Sequence, residues 1–187
     1  MMRDRQQGFT LVEVLIVIAI IAIMSGVVAP SLLGAIPGIR VSGAARDVLS
    51  DFRMARTLAV DRGFPVIVEF DAPSNTHYRM YVDRNRDGSY TSGTDTLVKE
   101  VTLTNEYKSI ILKSNDGAAP ADGVDLDGTG GDSIAFQPNG SASGTGAVYL
   151  MPSRDSGGSR NDRNRRVWVV AATGNVRIEN YNGSVWQ

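Results

Sequence analysis

Between Phe9 and Ala29 the one ionisable side chain is Glu13, and a carboxylate held ionised inside hydrocarbon costs several kcal/mol unless it is paired. A positive group at the same depth would offset that cost, because opposite charges attract more strongly as the dielectric falls. The chemistry on offer is pairing with a partner; a place near the interface, where polar side chains reach water, is the alternative. A second set, Asp83-Arg84-Asn85-Arg86-Asp87-Gly88, has the opening of a calcium loop. Alternate oxygens of Asp83, Asn85 and Asp87 could converge on one hard cation, and Gly88 would permit the sharp turn. Its closing ligand is missing: at the twelfth position stands Thr94, with Asp95 one residue late, so an Asx-type turn between strands competes with the ion site. A third set, Arg154, Arg160, Arg163, Arg165 and Arg166, could neutralise phosphates with strong salt dependence. Asp155 and Asp162 dilute it.

Catalytic constellations fare worse. Asp155-Ser156-Gly157-Gly158, with His77 earlier in the chain, resembles the nucleophile loop of trypsin-like proteases. Arg154 replaces the Gly expected before the Asp, and the chain after the helix is too short for two β-barrels. A triad is defined by geometry, and nothing here supplies it. His77 is the sole histidine and the chain has no Cys, so a zinc-type site lacks donors. The glycine-rich Asp127 to Gly131 has no following Lys or helix and reads as a loop, not a phosphate cradle. The expectation is a protein without catalytic activity and without a cofactor beyond a possible calcium ion.

The elements that carry these residues follow from patterning. Phe9 to Ala29 is 21 residues, roughly 31 Å of helix against a hydrocarbon core of about 30 Å, so it can span a membrane. Arg3 and Arg5 ahead of it place the leader on the cytoplasmic side and send the remainder outward. A secretory signal has a shorter apolar core, with the small residue of its cleavage site beyond it. Here the small residue, Gly8, comes before the run. Cleavage there would remove residues 1–8 and expose Phe9 as a new N-terminus with the span retained.

Beyond the span, Pro30, Gly34, Pro37 and Gly38 predict a bend or a broken turn. Val41, Ala44, Ala45, Val48, Leu49, Phe52, Ala55, Leu58 and Ala59 then recur at helical spacing, so one face must pack on something. Gly63 reads as the stop. Strands are predicted at 64–70, 77–82, 97–103, 107–113, 133–136, 147–151, 166–171 and 176–179, with a turn over Asp71 to Thr76. The chain has 187 residues, 20 Gly, no Cys and a net charge of −1. That leaves room for one modest domain without disulfides and gives no global argument for nucleic acid.

Gly8 followed by Phe9-Thr10-Leu11-Val12-Glu13 resembles the class III signal of type IV prepilins and of type II secretion pseudopilins. With Phe9 as the first mature residue, Glu13 and Pro30 fall at positions familiar in that superfamily. Phe52 to Ala59, Phe64-Pro65-Val66, Ile134 to Gly140, Trp168-Val169-Val170 and Gly174-Asn175-Val176-Arg177 are similar to the GspH/FimT group of minor pseudopilins and minor pilins. The resemblance implies an α+β fold, a long N-terminal transmembrane and amphipathic helix packed on an antiparallel β-sheet domain. It divides the chain into a cleaved leader at 1–8, a membrane half of the helix at 9–29, a periplasmic half at 30–62 and a β-rich domain at 63–187. It further implies cleavage after Gly8 by a prepilin peptidase, methylation of the Phe9 amine, and pairing of Glu13 with that amine on a neighbouring subunit.

The role so implied is a non-catalytic subunit that primes or caps a type II secretion pseudopilus or a type IV pilus and contacts cargo. It would sit in the bacterial inner membrane by a single pass with its C-terminal domain in the periplasm. Its partners would be other pilins or pseudopilins and the inner-membrane assembly platform. The alternative is a DNA-binding minor pilin using Arg160, Arg163, Arg165, Arg166 and Arg177. DNA-uptake members of the group carry Gly-Arg-x-Arg near the C-terminus; here Asn175 stands where the first Arg would be.

Overall fold

The computed structural model describes residues 9–70, 76–113, 117, 120, 122–128, 131–158 and 160–187, and no side chain at 27 or 29–32. The leader with Gly8, most of the turn predicted at Asp71 to Thr76, and Thr129 and Gly130 lie outside the described residues. One helix, α1 (Leu11–Arg62), crosses from a first compact unit, Met1–Ile36, into a second, Pro37–Gln187. Pro30 and Pro37 both fall within helical turns, so of the bend or broken turn expected there no turn is broken; each proline removes one hydrogen bond from the ladder.

In the first unit every described side chain from Phe9 to Gly26 is exposed. Among the described residues no helix is long and apolar enough to cross a membrane.

The second unit holds two antiparallel sheets. One has β1 (Val66–Phe70), β2 (His77–Val82), β3 (Thr96–Thr102) and β6 (Ser133–Phe136) in the order β3-β2-β1-β6. The other has β4 (Ile110–Leu112), β7 (Gly146–Pro152), β8 (Arg165–Val170) and β9 (Asn175–Asn180) in that order, with β5 (Val124–Asp125) also on β7. Val41, Ala44, Ala45, Val48, Phe52, Ala55 and Ala59 of α1 are fully buried and join residues of both sheets in one core. Four alanines on this stripe let the helix axis come close, while Phe52 fills the centre with its ring 6.2 Å from Phe70 and 5.9 Å from Phe136. Gly63, at φ +70°, closes the helix by donating its N–H to Ala59 O at 3.0 Å, the left-handed stop that glycine adopts at little cost.

Two local expectations change. Leu103 starts a short helix, α2 (Leu103–Glu106), instead of ending a strand; its side chain is buried and its N–H donates to Thr76 O at 2.6 Å. This trims the strand predicted at 107–113 to β4. The two residues of β5 are too few for any alternation to be visible.

Gly43 sits where α1 meets the residue after α2: a Cβ there would stand 2.8 Å from Tyr107 Cε1. Gly43→Ala should therefore lower stability by about 1–3 kcal/mol, despite alanine's better helix propensity. In a Tyr107→Ala background the same change should be neutral or stabilising. Chemical-denaturation midpoints for the four chains of that cycle check the coupling; an equal cost in both backgrounds would refute it.

Candidate functional site

At the start of α1, Phe9 is 83% exposed and Thr10 caps the helix. Glu13 donates its backbone N–H to Thr10 O at 3.1 Å and to Thr10 Oγ1 at 3.3 Å. Thr10-Leu11-Val12-Glu13 has the spacing of a capping box, a signal the sequence carries. Glu13 is also the acidic residue of the first turn, where the helix dipole favours negative charge. Its side chain is thus uncovered by the rest of the chain, at the positive end of α1. Pro30 lies within α1.

Along the second half of the helix, polar groups beside the apolar stripe clamp α1 to the sheets. Tyr78 on β2 donates to Asp51 Oδ2 at 2.6 Å, and Lys99 Nζ on β3 lies 2.8 Å from both oxygens of this buried carboxylate. Burial and the bond to Asp51 push the Tyr78 hydroxyl far above its ordinary pKa. One turn earlier, Tyr107 donates to Asp47 Oδ2 at 2.6 Å; that bond, helped by burial, pushes its pKa up to about 12. Arg56 Nε donates to Gly140 O at 2.9 Å. Asp47 and Asp51 were missed in the sequence, although two carboxylates four residues apart flanking an apolar stripe is a readable signal.

The residues considered for calcium form a turn closed by its own hydrogen bonds. Asp83 is buried; its Oδ1 accepts from Arg86 N at 2.6 Å and its Oδ2 from Gly88 N at 3.0 Å. Asp87 accepts from Ser89 N at 2.8 Å and from Asn85 Nδ2 at 2.7 Å, and Asp95 accepts from Arg84 N at 2.9 Å. These are the bonds of an Asx turn. Asn85 presents its Nδ2 to Asp87, so the oxygens of Asp83 and Asp87 are engaged by the turn's own hydrogen bonds. Among the described residues no cluster of His, Cys, Asp or Glu is placed to hold a metal ion.

The arginines are brought together around carboxylates. Arg160 makes two bonds to Asp162, at 3.0 and 2.8 Å, which hold Asp162 below the usual carboxylate range. Arg163 is buried with its Nη1 3.5 Å from Asp155, which also has Arg154 Nε at 3.8 Å. Arg165 turns onto the carbonyls of Asp162 and Asn164. Arg166 donates to Glu179 at 2.7 Å and lies between the rings of Trp168 and Trp186, 4.9 and 4.7 Å from their centres. Arg177 reaches the other oxygen of Glu179 at 2.7 Å. The protease-like residues are dispersed: His77 is on β2 with Glu100 at 3.0 Å, while Asp155 and Ser156 follow β7 in the other sheet.

A cavity of about 440 Å³ opens between α1 and the turn into β9, lined by Arg53, Arg56, Thr57 and Val60 on one side and Gly174, Asn175 and Val176 on the other. Sequence reasoning found only the Gly174 side, because the helix contribution depends on how α1 docks.

A family profile described as the prokaryotic N-terminal methylation motif matches residues 3–29, and one described as Type II transport protein GspH matches residues 44–174. A search among curated proteins gave no significant match. Among solved structures, the minor pseudopilin EpsH from the type II secretion system of Vibrio cholerae is similar at 14% identity, with TM-score 0.51 over 78% of this chain and 96% of that one. The type IV minor pilin FimU of Pseudomonas aeruginosa is similar at 12% identity, with TM-score 0.50 over 79% of this chain and 92% of that one. At such identities the likeness speaks to fold, and the fold is the pilin-like α+β arrangement expected from the sequence.

Because the folded pKa of Tyr107 lies above the value of about 10 for a free tyrosine, its bond to Asp47 contributes stability that is complete below pH ~10. That contribution is lost as pH rises toward about 12. Tyr78 and Tyr81, whose hydroxyls are also pushed up by burial, lose stability in the same direction. Unfolding measured across this window should therefore show a loss that Tyr107→Phe makes less steep without abolishing; an identical profile in the variant would refute the assignment.

Proposed function

The chain belongs to the GspH family of type II transport proteins, structural subunits without catalytic activity, and from that membership we propose that it is a minor pseudopilin or minor pilin that primes or caps filament assembly and contacts cargo. The observation that carries this reading is the first half of α1. Leu11, Leu15, Ile18 and Ile21 are each more than half exposed, and so continuous an apolar surface calls for lipid or other helices around it. In this reading the protein is inserted in the bacterial inner membrane by residues 9–29, with the domain from residue 63 onward in the periplasm. A prepilin peptidase cuts after Gly8 and the new Phe9 amine is methylated. The assembly platform then transfers the subunit into a pseudopilus or pilus, where its helix packs with those of other subunits.

Glu13 is the assembly residue of this scheme. Its place in the first turn, with its side chain exposed, supports pairing with the Phe9 amine of a neighbour, and Pro30 lies near the end of the same packed segment. Of the DNA-binding alternative, Arg160, Arg166 and Arg177 already face carboxylates within 3.0 Å, which leaves it the less supported reading.

Glu13→Ala should leave processing at Gly8 intact while abolishing co-assembly; N-terminal sequencing together with recovery of the subunit in sheared filaments measures both. Normal incorporation of that variant would sink the proposed pairing.

A further inference from the structure

β9 is the last strand of its sheet, so one of its edges has no strand of that sheet beside it. Asn180 shows which backbone groups face this edge. Its N–H donates to Gln187 O at 2.6 Å and its carbonyl accepts from Gln187 N at 2.9 Å, whereas Tyr181 turns its N–H the other way, to Asn164 O at 3.2 Å. In an antiparallel ladder these directions alternate. Val176 and Ile178 therefore share the outward direction of Asn180, while Arg177 and Glu179 point at their β8 partners Trp168 and Arg166. Gln187 fills the first rung of the outer edge, and among the described residues no backbone bond engages the next two, at Ile178 and Val176.

Alongside this edge runs one stripe of α1. Ser42, Arg46, Arg53, Thr57 and Val60 fall within a narrow sector at 100° per residue. The cavity of about 440 Å³ pairs the Arg53 end of the stripe with Val176, and a second of about 260 Å³ pairs Ser42 and Arg46 with Ile178 and Asn180. The two cavities follow one another along α1 from Ser42 to Val60, about 27 Å of helix, and along β9 from Val176 to Asn180, about 13 Å of strand. Their charge is one-sided. Among the described residues neither Arg46 nor Arg53 has a carboxylate within ion-pair distance, Arg56 spends only its Nε on Gly140, and Asp61 is the one carboxylate lining either cavity.

The geometry points to a strand-addition site: an extended acidic segment of another protein pairs its backbone with Val176 and Ile178, continuing the rung begun by Gln187, and sets carboxylates against Arg46 and Arg53. Main-chain bonds along an open edge give affinity, and alternate side chains give specificity. Arg46 and Arg53 lie about 10 Å apart along the helix, within reach of carboxylates two to four residues apart on a strand. Guanidinium–carboxylate bonds are the strong, directional kind. This surface lies wholly in the second unit and is separate from the exposed apolar half of α1.

The test uses the full chain in detergent micelles with two labelled octapeptides, one alternating valine and glutamate, the other valine and lysine. The valine–glutamate peptide should bind, and hydrogen exchange should show the amides of Val176 and Ile178 becoming protected while those of Arg177 and Glu179 stay as they were. Arg46→Glu combined with Arg53→Glu should weaken that binding at least tenfold and confer binding of the valine–lysine peptide. Equal binding of both peptides by the parent chain, unchanged affinity in the double variant, or binding without protection at Val176 and Ile178 would each overturn the proposal. So would a failure to bind at millimolar peptide, or capture of a single-stranded oligonucleotide with the two amides still exchanging freely.

Discussion

The burial of one stripe of α1, from Val41 to Ala59, is the constraint on which the rest of the second unit depends. Neither sheet closes its own core: β1 and β2 contribute Val66, Val68, Tyr78 and Met80, β7 and β8 contribute Val148, Leu150, Val167 and Val169, and the helix stripe belongs to the same cluster. Alanines at 44, 45, 55 and 59 bring the helix close, and Phe52 takes the space between Phe70 and Phe136. A helix with larger residues on that stripe would stand off from the sheets and lose the short polar contacts on its flank, because a packed interior yields little to added volume.

Those flanking contacts give the helix two unlike sides. Asp47 and Asp51 face tyrosines and a lysine from α2's neighbour and the first sheet, each bond formed as α1 docks. Arg46, Arg53 and Arg56 border the cavities beside β9 in the second sheet. The acids are consumed in holding the fold, whereas much of the arginine charge stays presented. The opposite holds for the arginines between 154 and 166. They look like an anion-binding run in the sequence, but Asp155, Asp162 and Glu179 meet them at close range. The dilution by Asp155 and Asp162 was readable from proximity in sequence; the pairing of Arg166 with Glu179 was not, since Glu179 comes from a different strand.

Most of the architecture was legible because its signals are local. The helical recurrence from Val41 to Ala59, the Gly63 stop and the strands at Phe64 to Phe70, His77 to Val82, Ser133 to Phe136, Ala147 to Met151 and Arg166 to Ala171 rest on periodicity and turn residues, and the observed elements lie within a residue or two of them. What went unread was set by contacts. Leu103 leaves the strand for α2 because its N–H finds Thr76 O, and β5 exists only as two residues laid against Val148 and Ala147. Pro30 and Pro37 suggested a bend or a broken turn, and the turns that hold them are helical.

The sequence by itself determined most of the elements, the apolar face of α1, and the family resemblance, through Gly8 before an apolar run that begins at Phe9 and carries Glu13. These are matters of composition and spacing along one chain. Only the tertiary structure decided which charges are free: it closed Asp83 and Asp87 into a turn, paired Arg166 and Arg177 with Glu179, buried Asp51 under Lys99, and laid Arg46 and Arg53 beside the open edge of β9. A charged group's availability depends on what lies within a few ångströms of it, and for these residues that neighbour comes from elsewhere in the fold.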